Sequence, residues 1–126
     1  MKLGRTSILA LLLAGWLGLI PILAARAQEP ANAKALPVLM EFDRKYCPVC
    51  HASELAIQAV KRQYPGEFKV RKLYIDEEEY LFKRYKIAIV PTQVFLDASG
   101  KEVYRHEGVF KPADLTHKLR ELNFIK

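Results

Sequence analysis

Beyond residue 36 the spacing of apolar positions changes period several times, and each change predicts an element. Val38 to Phe42 is a short apolar run broken only by Glu41, as expected of a strand covered on both faces in a mostly parallel sheet. From Val49 the period lengthens. Val49, Ala52, Leu55, Ala56, Ala59 and Val60 recur at helical spacing while His51, Glu54, Gln58, Lys61 and Arg62 fall elsewhere, which predicts an amphipathic helix ended by Tyr64-Pro65-Gly66. Phe68 to Ile75 lies between Gly66 and the acidic run Asp76 to Glu79 and reads as a second strand. A short helix follows, with Glu77, Glu78 and Glu79 at its N-terminus and Lys83, Arg84 and Lys86 at its C-terminus, where the helix dipole favours each sign and where solvated charges are a sufficient account. Thr92 to Leu96 and Glu102 to His106 are two strands joined by the turn Asp97-Ala98-Ser99-Gly100. Pro112 opens a last helix with Leu115, Leu119 and Leu122 inward. The order is strand, helix, strand, helix, strand, strand, helix: one α/β domain over residues 37–126.

The first 36 residues follow another pattern. Lys2 and Arg5 precede an uncharged run from Thr6 to Ala25, and Ala25-Arg26-Ala27 has the small-x-small form that a signal peptidase reads. Residues 1–27 are therefore expected to be an export signal cleaved before Gln28, with 28–36 a linker. The competing reading is a retained membrane anchor, because about 20 apolar residues can span a bilayer. Under either reading the domain is periplasmic or otherwise extracytoplasmic. No twin arginine opens the run and no cysteine follows it, so neither folded export nor lipoprotein anchoring is implied.

Composition narrows the functional classes. The 126 residues include 20 Lys and Arg against 14 Asp and Glu, a formal charge of +6. Without Lys2, Arg5 and Arg26 the formal charge is +3, too small a basic excess to argue for nucleic-acid binding. Hydrophobic residues make up 51% of the chain, too many for a disordered tail.

Cys47 and Cys50 are the only cysteines. They are too few for a disulfide scaffold, a four-cysteine zinc site or a cubane cluster. A loop of this length constrains little of the unfolded chain, because closure stabilises in proportion to the logarithm of loop length. Such a pair suggests chemistry. Cys47-Pro48-Val49-Cys50 lies where a strand hands over to a helix, so Cys47 occupies the N-cap region, where unpaired N–H groups and the positive helix end favour thiolate over thiol. Pro48 has no N–H and fits the first helical position, leaving the amides of Val49 and Cys50 as donors to the Cys47 sulfur. Cys50, one turn in, is the expected resolving thiol.

These residues resemble the thioredoxin superfamily from about Leu36 to Leu122. The likeness rests on Val38-Leu39-Met40-Glu41-Phe42 ahead of the aromatic Tyr46 and the cysteine pair, on Lys72-Leu73-Tyr74-Ile75-Asp76, on Tyr85-Lys86-Ile87 followed by Val90-Pro91-Thr92, and on Gly100 and Gly108. The resemblance implies a thioredoxin-like fold: a central mixed sheet of four to five strands flanked by helices, with a cis Val90-Pro91 bond beside the cysteines. It implies Cys47 as nucleophile and Cys50 as resolving thiol, and substrate contacts from Tyr46, Pro48, Val49, Val90 and Thr92, the loop at Pro91 taking the substrate chain as an added strand. Glu41 matches a buried acid beneath the second cysteine that can accept its proton, and Lys72 matches a lysine near that acid. Three departures stand out: Glu41 in place of the usual Asp, Tyr46 in place of Trp, and Pro-Val in place of Gly-Pro. The last is similar to glutaredoxins and some exported oxidases and leaves the direction of electron flow open; Arg44, Lys45 and His51 would add positive field favouring the Cys47 thiolate.

The expected activity is thiol–disulfide oxidoreduction on exported proteins, in the reductive direction. No inserted helical domain of the kind found in larger oxidases fits within residues 28–126. The resemblance implies a membrane thiol transporter as electron source, apocytochrome c maturation or rescue of oxidised exported proteins as the task, a monomeric state and no cofactor. Three alternatives stand beside it. One is an oxidative disulfide donor passing electrons to a quinone-linked membrane partner. Another is a copper- or zinc-binding module using Cys47, Cys50 and His51 or His106, although His106 and His117 are spaced too widely for a usual ligand pair. The third is a binding module that kept only the fold, against which both cysteines argue.

Overall fold

Residues 35–126 are described by a computed structural model of the protein; the expected export signal and nearly all of the expected linker lie outside the described residues. The chain forms β1 (Val38–Asp43), α1 (Pro48–Gln63), β2 (Lys69–Tyr74), α2 (Glu79–Arg84), β3 (Thr92–Leu96), β4 (Glu102–Glu107) and α3 (Pro112–Glu121). This is the predicted order, with shifts of a few residues at several ends.

The four strands lie in the order β2-β1-β3-β4. β1 runs parallel to β2 and antiparallel to β3, and β3 is antiparallel to β4. The sheet is thus mixed, as the resemblance implies, where the apolar run of β1 taken alone points to a mostly parallel one. The nearly continuous apolar run of β1 reports its central place, paired on both sides and covered on both faces. Side chains alternate across a strand. Leu39 joins the core of α1 and α3 with Ile57, Phe95, Leu115 and Leu119. Met40 and Phe42 join the core against α2 with Leu81 and Phe82. Glu41 and Asp43 therefore share the Leu39 face, toward α1.

The inward face of α1 differs from the one that hydrophobic spacing predicts. Its buried residues are Cys50, Ser53, Ala56, Ile57 and Val60, whereas Val49 and Ala52 are exposed. Leu55 is 56% exposed and Ile57 is fully buried. Ser53 explains the shift, because a hydroxyl scored as polar sits at the centre of the buried stripe, where its partners satisfy it.

The acidic run also behaves differently from the expectation that it opens α2. Only Glu79 lies in the first helical turn, paired with Lys83 at 2.7 Å. Asp76 and Glu77 instead hold Lys45 at 3.0 and 2.7 Å, and Glu78 holds Arg71 at 3.3 Å. These contacts fasten the loop after β1 to the end of β2. At the hairpin, the Asp97 carboxylate accepts from the amides of Ser99 and Lys101. Gly100 takes the left-handed φ of 84° that the turn requires. Among the described residues no helix is long and apolar enough to cross a membrane.

Candidate active site

The loop Arg44-Lys45-Tyr46 carries the chain from β1 into α1. Lys45 is tied down by its two carboxylates, and Tyr46 turns into the left-handed region with φ of 57°, presenting its side chain fully to solvent. Cys47 then caps α1 in extended backbone, with Pro48 at the first helical position. The Cys50 amide donates to Cys47 Sγ at 3.2 Å, and the His51 amide donates to Cys47 O at 3.0 Å. Of the two amides expected to serve the sulfur, that of Cys50 does so. A disulfide joins Cys47 to Cys50 across a Cα separation of 5.2 Å. The two ends differ in access: Cys47 is half-buried and Cys50 is 2% exposed. Pro48 and Val49 point outward beside Tyr46.

A cleft of about 440 Å³ opens on the pair, walled by Cys47, Cys50, Asp43, Glu54, Lys72 and Tyr74 among others. Arg44 also borders a second cavity, about 510 Å³, lined by Ile75, Phe82, Ile87, Ile89 and Val90. The Val90-Pro91 bond is cis. Thr92 stands opposite Phe42 in the sheet register, so Val90 and Pro91 lie at the end of the sheet where β1 leads to Cys47. Pro91 O accepts from the Gly108 amide at 2.8 Å. Thr92 is buried and its hydroxyl donates to Ile89 O at 2.7 Å, so that side chain holds the loop. Val90 is half-buried.

Beneath the cysteines lies a polar layer that hydrophobic patterning does not reveal. Glu41, 1% exposed, stands between Lys72 of β2 and Gln93 of β3 in the register. Gln93 Nε2 donates to Ser53 Oγ at 2.9 Å, and the Ser53 hydroxyl hydrogen-bonds Glu41. The other carboxylate oxygen of Glu41, Oε1, has no partner. Burial, with Asp43 nearby, pushes the Glu41 carboxyl up to about 7 against the small opposing effects of Ser53 and Lys72. Lys72 bonds Glu54 Oε2 at 2.7 Å and stands 3.3 Å from Asp43 Oδ2. Burial pulls its ammonium down, but bonds to Glu54, Tyr74 and Asp43 outweigh that and hold it above the ordinary lysine range. The Lys72 hydrogen bond holds Glu54 below its ordinary value.

Asp43, Ser53, Glu54 and Gln93 were not singled out by sequence reasoning. Asp43 had a signal: it follows Glu41 by two positions, which in a strand means the same face. Ser53 and Gln93 come from different elements and had none. Of the histidines considered as ligands, His51 is exposed with Nδ1 3.6 Å from Glu54 Oε2. His106 on β4 stacks on Phe110 with ring centroids 3.7 Å apart and is partly covered. Among the described residues no three His, Cys, Asp or Glu side chains converge as a metal site would need.

A family description, "Thioredoxin-like domain", matches residues 24–123. The thioredoxin-like protein slr1139 of Synechocystis sp. is 31% identical over 110 residues, which cover 86% of this chain and all of that one. Among solved structures, the germline-specific thioredoxin Deadhead of Drosophila melanogaster is 26% identical with a TM-score of 0.63, covering 70% of this chain and 82% of its own. A thioredoxin-like protein from Clostridium perfringens is 27% identical with a TM-score of 0.64, covering 72% and 74%.

Proposed function

The chain belongs to the thioredoxin-like family and is a thiol–disulfide oxidoreductase, and from that premise we propose that it acts outside the cytoplasm as a reductant of disulfides in exported proteins. The observation that carries this reading is the asymmetry of the pair. Cys47 sits half open at a helix N-cap with an amide aimed at its sulfur, and Cys50 is shut behind it. In the reduced protein the helix end favours the Cys47 thiolate. That thiolate attacks a substrate disulfide and forms a mixed disulfide; Cys50 then attacks Cys47, releasing the second substrate thiol. Exposed Tyr46 and Val49, with Ile75 and Ile89 across the neighbouring cavity, offer an apolar surface to an unfolded chain, and the loop at Val90-Pro91 offers its backbone.

Charge placement supports the reductive direction. The cations expected to favour the thiolate are partly engaged elsewhere: Lys45 is neutralised by Asp76 and Glu77, and His51 faces Glu54. Asp43 and Glu54 wall the same cleft. A less stabilised thiolate makes a more reducing pair. Electrons would come from a membrane thiol transporter, with apocytochrome c or oxidised exported proteins receiving them.

A Cys50→Ser variant, produced with its complete N-terminus in a Gram-negative host, is expected to accumulate mixed disulfides on Cys47 with exported proteins, and Cys47→Ser none. Equilibration with glutathione is expected to place the wild-type potential nearer about −270 mV than about −120 mV. A value near the upper figure would transfer the assignment to a disulfide donor. Absence of any trapped exported protein would refute the substrate class.

A further inference from the structure

β1 puts two carboxylates on one face, two residues apart, and the fold gives them different surroundings. Glu41 lies between Lys72 and Gln93 in the sheet and bonds to Ser53; it is not part of the cleft wall. Asp43, the last residue of β1, is also inaccessible, yet it walls the cleft together with both cysteines. Asp43 Oδ1 has no hydrogen-bond partner, and Oδ2 has only the Lys72 ammonium beside it. The nearest cation, Lys72, stands 3.3 Å from Oδ2 but gives its shorter contact, 2.7 Å, to Glu54. A buried carboxylate with one oxygen unbonded can accept a proton there.

Resolution of the mixed disulfide needs such a group. Cys50 gives up its thiol proton and its sulfur attacks Cys47 Sγ. The Cys47–Cys50 bond forms, the bond from Cys47 to the substrate breaks, and the electron pair leaves on the substrate sulfur, which takes a proton from solvent. Two electrons pass from the protein dithiol to the substrate. Resting on the oxidoreductase reading above, we infer that Asp43 carries the Cys50 proton into the open cleft, a part that the family resemblance would give to Glu41. Glu41 stands behind it as a second buried carboxylate on the same face of β1. Two buried carboxylates facing one ammonium ionise together only at a high cost, so the pair retains a proton into the neutral range; burial raises both of them. The charged or titratable groups around Asp43 are Glu41 on its own strand, Lys72 and Tyr74 on β2, Cys50, His51 and Glu54 on α1, and Arg44 in the loop. Lys72 bridges Asp43 to Glu54 and so acts as a positioning residue for both.

The test separates the two thiol steps. Reduced protein mixed with a chromogenic aromatic disulfide releases one thiolate when Cys47 attacks and a second when Cys50 resolves, and stopped-flow absorbance from pH 5 to 9 follows each phase. Asp43→Asn is expected to slow the second phase about 100-fold at neutral pH, remove its carboxylate-dependent pH limb and leave the first phase within a few-fold. Asp43→Glu is expected to restore most of the second phase with a displaced pH limb. Should the Asn variant fail to fold, judged by urea unfolding of its disulfide form, Asp43→Ser gives the same readout. A second phase in Asp43→Asn with wild-type rate and pH profile would overturn the inference, as would its complete loss in Glu41→Gln with Asp43 intact. Failure of the oxidoreductase reading would look different: the wild type itself would show no first phase.

Discussion

Replacing Glu41 with Gln removes one titration while keeping side-chain length and an acceptor for Ser53, and its effect on stability follows from the burial of that position. Burial and Asp43 carry the Glu41 carboxyl from 4.5 to about 7 in the folded protein. In the unfolded chain it titrates near 4.5. The folded state thus binds this proton more tightly, so the group's contribution to stability is fully present below pH about 4.5 and is lost as pH rises through about 7. A shift of this size corresponds to about 3 kcal/mol. The wild type should lose that much from this group between pH 4 and 8, and Glu41→Gln should not, so the stability of the variant relative to wild type rises by about 3 kcal/mol over that interval. Asp43, also raised by burial, leaves the variant a smaller slope of the same sign. Urea unfolding of both proteins in the disulfide form, at closely spaced pH values, measures the difference without interference from thiol chemistry. With a urea slope of about 1–3 kcal/mol/M the midpoints should separate by roughly 1–3 M. A difference between variant and wild type that stays flat from pH 4 to 8 would refute the reasoning, because it would mean that Glu41 ionises in the fold as readily as in water.

Two further substitutions probe the packing around the site. Ile57→Ala is expected to cost about 2–5 kcal/mol by leaving a cavity between α1 and the sheet, while Leu55→Ala, at an exposed position, should stay within about 0.5 kcal/mol; the reverse order in urea unfolding would return α1 to the face that its hydrophobic spacing predicts. Ser53→Ala strands the Gln93 amide and deprives Glu41 of a hydrogen bond, at an expected cost of about 1–3 kcal/mol. Because that bond lowers the Glu41 carboxyl, the variant should titrate Glu41 still higher, as read by carbon NMR of the side-chain carboxyl. An unmoved titration would show that the hydroxyl does not serve Glu41.

How far the site was legible depended on the range of the interactions that build it. Cys47 at a helix N-cap with Pro48 behind it could be read directly, because strand, cap and first turn are neighbours in the chain. The hairpin at Asp97 to Gly100 and the inward Leu115 and Leu119 were legible for the same reason. The inward face of α1 was misread because Ser53, buried and bonded to Gln93 40 positions away, breaks the apolar stripe. The acidic run was misassigned to α2 because Asp76 and Glu77 find Lys45, a partner some 30 residues earlier, before they can serve a helix end.

Taken alone, the order of amino acids determined the element sequence, the thiol pair and its place at the head of α1, since propensity, capping and turn chemistry act over a few residues. Only the tertiary structure decided that β1 would be the central strand of a mixed sheet. It also brought Glu41, Asp43, Ser53, Lys72 and Gln93 from four elements into one layer behind Cys50. That layer depends on strand register and on the rotation of one helix, which are set by packing across the whole core. Burial then changes what its carboxylates can do.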